Sequence, residues 1–192
     1  MASKSLITWR TVGSRALDEI ESAHRAVGGT SPGRRYATEQ INHAYVVLLS
    51  SQFQRFCRDL HSEAADAVAR PIVNSTLNRL VFLRFTADRR LDRGNPGPAA
   101  IGADFHRFNL DIWTVLAPRA SRNKSRQQRL ETLNAWRNAI AHHDFDPARL
   151  GGRLALRLIQ VRAWRRVCDR LAVEFDAVLA DHVATITGRR PW

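Results

Sequence analysis

The chain is short of cysteine, of lysine and of long apolar runs. Only Cys57 and Cys168 occur among 192 residues, each inside a helical pattern, which excludes a disulfide framework and a cysteine-rich zinc site. The longest apolar run, Ala44–Leu49, falls far short of the roughly 20 residues a membrane span needs. The opening MASKSLITWR lacks the apolar stretch of a secretory signal. A cytoplasmic protein with no membrane association is expected. No convincing carboxylate or His/Cys ligand cluster is present, so neither a metal nor another cofactor is expected.

Lysine is the most telling shortage. Of 30 basic residues, only Lys4 and Lys124 are lysine, and the formal net charge is +12. Such a balance draws anionic partners, RNA among them. It is equally what a GC-rich coding sequence produces with arginine spread over solvated faces, so clustering discriminates better than the total. The densest local set is Arg119, Arg122, Lys124, Arg126 and Arg129. Arg122, Arg126 and Arg129 are the candidate RNA-backbone contacts.

The 44% hydrophobic content is enough for one domain with a sizeable core. Residues 1–13 show no sustained period and predict a loose arm, 14–188 a single helical domain, and 189–192 a tail. Ser14 caps a predicted helix to about Val27, stopped by Gly28-Gly29, with a polar loop over Thr30–Arg35. From Thr38 to Ala69, Ile41, Tyr45, Leu48, Leu49, Phe53, Phe56, Leu60, Ala64 and Val68 recur at helical steps and predict the spine of the fold. Pro71 opens a further predicted helix reaching about Asp92. The breaker Gly94-Asn95-Pro96-Gly97-Pro98 predicts a surface loop. Helices follow over about Phe105–Leu116, from a cap at Ser121 or Ser125 to about His143, and over Gln160–Ile186. Alternation of Leu154, Leu156 and Leu158 suggests one short strand. The predicted fold class is an all-α antiparallel bundle of about five or six helices.

One segment concentrates chemistry. In Leu133-Asn134-Ala135-Trp136-Arg137-Asn138-Ala139-Ile140-Ala141-His142-His143-Asp144, Asn134, Asn138 and His142 fall one turn apart on one lane, opposite Leu133, Trp136 and Ile140. The spacing turns His142 towards the amides and sets His143 beside Trp136, so His142 is the candidate reactive imidazole and His143 the backup. A bare Arg-x(4–6)-His pattern is expected about three times by chance in so arginine-rich a chain. Requiring Asn directly after Arg lowers that expectation to about 0.1.

Arg137-Asn138-Ala139-Ile140-Ala141-His142 resembles the RNxxxH signature of HEPN domains, a helical superfamily that includes metal-independent ribonucleases of toxin–antitoxin and phage-defence systems. The helix containing Tyr45–Phe53 is similar to the first long helix of the RiboL-PSP-HEPN subgroup. Gln52 or Gln54 stands where many relatives carry an acidic residue. The resemblance implies an RNA-cleaving homodimer formed through the motif helix, and a neutralising antitoxin of the minimal nucleotidyltransferase type. Residue chemistry suits cleavage by the RNA 2′-hydroxyl: histidine for base or acid, Arg137 for phosphate charge, Asn138 to hold the imidazole or the phosphate. The superfamily also contains inactive helical modules that bind a partner protein or nucleotide, which is the alternative reading.

Overall fold

The computed structural model describes residues 1–28, 36–152 and 155–192, and among them every regular element is helical. The spine is where the apolar period places it. Helix α3, Tyr36–Ala69, is 34 residues long, and buries Tyr45, Val46, Leu49, Phe53, Cys57, Leu60 and Ala64 completely. Helices α1 (Lys4–Thr8) and α2 (Ser14–Gly28) pack on it. Helix α9, Leu158–Thr187, lies along it through Val161, Cys168, Leu171, Phe175, Leu179 and Val183. Helix α8, Asn123–His142, closes the bundle against both. Both cysteine thiols are free and buried, and desolvation pushes them well above the usual thiol range.

The N-terminal arm is a correction. Residues 1–13 are not loose: α1 runs through a π-helical turn, Trp9–Gly13, directly into α2. A single turn is too short to display a period, yet it is tightly tied. The Ser3 hydroxyl accepts the Leu6 N–H at 3.0 Å, and the Ser3 N–H donates to Asp176 at 3.1 Å. The Lys4 and Ser5 N–H groups donate to Glu63 at 2.9 and 2.6 Å. Carboxylates of α9 and α3 thus satisfy donors that a short helix leaves open. Leu6 and Trp9 are buried, with Trp9 edge-on to Phe53 at 5.7 Å between ring centres.

An ion-pair knot around the buried Glu21 fastens α2 to α3 and α9. Glu21 receives Arg162 at 2.6 and 3.0 Å and Arg25 at 2.6 Å, and Tyr45 donates to it at 3.4 Å. The Arg162 hydrogen bond leads in holding its carboxyl down at about 2, against the opposing cost of burial.

Between α3 and α8 the chain is more broken than its periodicity suggests. Helix α4 starts at Ser75, because Asn74 accepts the Leu77 N–H at 2.9 Å, whereas Pro71 sits in the preceding turn. It ends at Thr86, short of Asp92, where Asp88 takes a left-handed φ of 53° before the short α5, Arg90–Arg93. The expected Phe105–Leu116 helix is split. Helix α6, Pro98–Phe105, begins on the proline, passes through a 3₁₀ turn at His106–Phe108, and Asn109 (φ 58°) turns the chain into α7, Ile112–Leu116, capped by Asp111. A 3₁₀ turn at Ala117–Arg119 leads to α8, which neither Ser121 nor Ser125 caps.

The polar loop over Thr30–Arg35 and Gly29 lie outside the described residues, as does Leu154 of the suggested strand. Leu156 is in irregular chain and Leu158 opens α9, so no strand stands there among the described residues. The tail 189–192 folds back, with Arg190 paired to Asp181 at 3.0 Å and Trp192 against the core. No helix among the described residues is long and apolar enough to cross a membrane.

Candidate functional site

The C-terminal half of α8 is held rigidly by its own apolar side. Leu133 and Trp136 are fully buried, Ile140 is half-buried, and Trp136 meets Trp164 of α9 at 6.4 Å between ring centres. This anchors the opposite stripe towards solvent. There, Glu131, Asn134, Ala135, Asn138, Ala139 and His142 form the floor of a groove of about 600 Å³. Asp144, Arg149 and Leu150, from the segment following the helix, complete its lining.

The lane Asn134, Asn138, His142 is therefore real, but its members differ in character. His142 and Asn138 are exposed in the groove. Asn134 is buried and structural: its amide donates to the Pro96 and Leu130 carbonyls at 3.2 and 2.9 Å, and its oxygen accepts Ser50 at 3.3 Å. Asn95 donates to the Asn138 side-chain oxygen. Asn134 and Asn138 thus moor the Gly94–Pro98 breaker, expected as a surface loop, to the site.

Arg137 does not line the groove. At about 100° per residue it lies roughly 140° round the helix from His142. Its guanidinium reaches back to the Asn138 oxygen at 3.4 Å, so Asn138 connects the cation to the groove. The imidazole of His142 makes no hydrogen bond or ion pair among the described residues. His143 takes a left-handed φ of 57° as the helix stops, and its N–H closes the last turn on the Ala139 carbonyl. Its ring stands edge-on to Phe145 at 5.7 Å, while His43 of α3 stacks on Phe145 at 5.6 Å. Burial leads in lowering the His43 imidazole from its usual range. His143 is thereby turned to an aromatic cluster and is absent from the groove lining.

The upstream arginines stand apart. Arg126 is half-buried and donates to Asn123 at 2.6 Å, and Arg122 and Arg129 are exposed. None of the three lines the groove. The groove's own cation is Arg149, which pattern reading missed because it arrives from a loop after the helix. It lies 3.7 Å from Asp144 and 3.5 Å from Asp146. Glu131 and Asp144 make the groove less positive than the composition suggests.

Gln54 donates to the Leu91 carbonyl at 2.6 Å, a fold contact, and neither it nor Gln52 lines the groove. Among the described residues no three of His, Cys, Asp and Glu stand where they could share a metal ion. No family model matches the chain, and no curated protein or solved structure matches it either.

Proposed function

We propose that the protein is a metal-independent endoribonuclease of the HEPN kind, a toxin or phage-defence effector acting as a homodimer through α8. The observation that carries this reading is the grouping of an exposed His142 with Asn138 in one groove, with Arg137 bonded to that same Asn138.

In the proposed reaction an imidazole takes the proton from a ribose 2′-hydroxyl, and the 2′-oxygen attacks the adjacent phosphorus. The bond to the 5′-oxygen breaks, and that oxygen receives a proton from a second imidazole. The products are a 2′,3′-cyclic phosphate and a 5′-hydroxyl. Arg137 stabilises the added negative charge on the phosphorane oxygens. One chain offers one groove imidazole, and a two-fold axis beside α8 supplies the second from the same residue of another copy. Arg122, Arg126 and Arg129, off the groove, serve as backbone contacts outside the reacting centre. A cognate antitoxin of the minimal nucleotidyltransferase type belongs to the same proposal.

A second reading is a module without catalysis that docks a partner protein. It is favoured by Glu131 and Asp144 in the groove lining, since two carboxylates oppose RNA phosphates. Turnover and affinity separate the two. If the protein is an enzyme, His142→Ala abolishes cleavage of a mixed RNA pool in excess EDTA while RNA affinity stays within about twofold of wild type. Absence of cleavage by wild type, together with no retained RNA affinity, would favour the docking module.

A further inference from the structure

Helix α4 packs on α3 by one side only and presents the other to solvent. None of its 12 residues is buried, yet its ends are fixed. Asn74 caps the first turn at 2.9 Å, and Arg107 donates to the Phe85 carbonyl at 3.0 Å and to the Asp88 carbonyl at 2.9 Å. Asn78 donates to the Ala69 carbonyl at 2.8 Å, Phe85 stacks on Phe108 at 4.6 Å, and Phe82 packs against the core. The side carrying Phe82, Phe85 and Asn78 therefore faces the protein.

The opposite side exposes three leucines beside Thr76, Arg79 and Arg84. Leu77, Leu80 and Leu83 are 50%, 58% and 43% exposed, and Val73, just before the helix, is wholly exposed. Leucines at steps of three share one outward arc of about 120°, which a partner could read as the apolar side of a helix. A patch of this kind on a folded protein marks an interaction surface. Arg84 falls within this arc and Arg79 at its edge, and among the described residues neither makes a hydrogen bond or ion pair. The helix carries no acidic residue.

We propose that α4 docks onto a different protein through an apolar helix face or groove flanked by carboxylates, with Leu77, Leu80 and Leu83 as anchors and Arg79 and Arg84 meeting the acidic rim. Charge decides against a second copy of this chain as occupant. A two-fold pairing through α4 brings Arg79 and Arg84 of both copies together with no carboxylate of either helix between them, and like charges at a desolvated interface are costly. The surface is separate from the α8 groove and does not depend on catalysis there.

The test uses two labelled, helix-forming peptides with one shared leucine stripe, flanked by glutamate in one and by lysine in the other. Fluorescence anisotropy with the full chain is expected to give binding of the glutamate peptide at least about tenfold tighter than of the lysine peptide. The Leu77→Ser/Leu80→Ser/Leu83→Ser variant loses binding while its melting curve stays that of wild type. Arg79→Glu/Arg84→Glu reverses the peptide preference, which also covers the case in which the triple variant fails to fold. Equal binding of both peptides, binding of neither, or a dimer in light scattering that the leucine or charge variants dissolve would overturn the proposal.

Discussion

The Arg137 guanidinium donates to the side-chain oxygen of Asn138, its immediate neighbour, at 3.4 Å. Arg137 and His142 lie on different sides of α8, and this contact links the cation to the groove side. Under the proposed function, Asn138 is the positioning residue of the site. Asn138→Ala is expected to lower the single-turnover rate on RNA by roughly 10- to 100-fold, leaving the fold intact, since the residue is exposed. Asn138→Asp, which keeps the acceptor, should recover part of that loss, and failure to do so would mean that the amide N–H groups matter instead.

Arg137→Lys tests the planar fork. Lysine keeps the charge but cannot hold the Asn138 oxygen and a phosphate in one fixed plane. A loss of about tenfold or more in single-turnover rate is expected, with RNA affinity changed far less. Equal loss in affinity and rate would assign Arg137 to ground-state binding.

The first turns of the chain belong to the core. Trp9→Ala removes a buried ring that touches Phe53 and donates to Asp169 at 3.1 Å. A destabilisation of about 3 to 5 kcal/mol is expected in urea denaturation, whereas a loose arm would tolerate the change.

His61 is expected to contribute to the acid sensitivity of the fold. It is fully buried, donates from Nε2 to the Asp104 carbonyl at 3.0 Å, and faces Arg89 through Nδ1 at 3.5 Å. Burial, aided by Arg89, lowers its pKa to about 4 from 6.5. Because the unfolded chain takes up this proton first, the contribution is complete above about pH 6.5 and is lost as pH falls towards 4. Between pH 7 and pH 4.5 wild type should lose about 2 to 3 kcal/mol through this group. His61→Gln, which retains a donor for Asp104, should show a correspondingly shallower fall.

Glu21 acts lower on the pH scale. With its carboxyl held at about 2, chiefly by Arg162, its stabilisation is present above about pH 4.5 and disappears towards pH 2. Glu21→Gln is expected to cost about 1 to 3 kcal/mol at pH 7, a difference that narrows below pH 4 when the two proteins are compared by denaturation.

The long helices were legible because their apolar stripes repeat over many turns: Tyr45 to Ala64 on α3 and Val161 to Val183 on α9 leave little choice of register. The short pieces were not. Lys4–Thr8 is one turn, held by Glu63 and Asp176 from distant helices, and no local pattern announces such partners. After Pro71 the sequence located a helix but not its orientation, and the side of α4 carrying Leu77, Leu80 and Leu83 faces water. Within the site, Asn138 and His142 share a face for reasons of helical spacing alone. Arg149 and Asn95 reach them through loops whose paths are set by tertiary contacts, and Asn134, alike in pattern to Asn138, was drawn inwards by Ser50 and Pro96.

Proton transfer by His142 during RNA cleavage is the step on which the proposed function rests. The direct measurement is end-group analysis of a mixed RNA pool incubated in excess EDTA with wild-type protein and with His142→Ala. Wild type is expected to yield fragments with 2′,3′-cyclic phosphate and 5′-hydroxyl ends, and the variant none. Equal cleavage by both proteins, or 5′-phosphate ends from wild type, would contradict that role of His142.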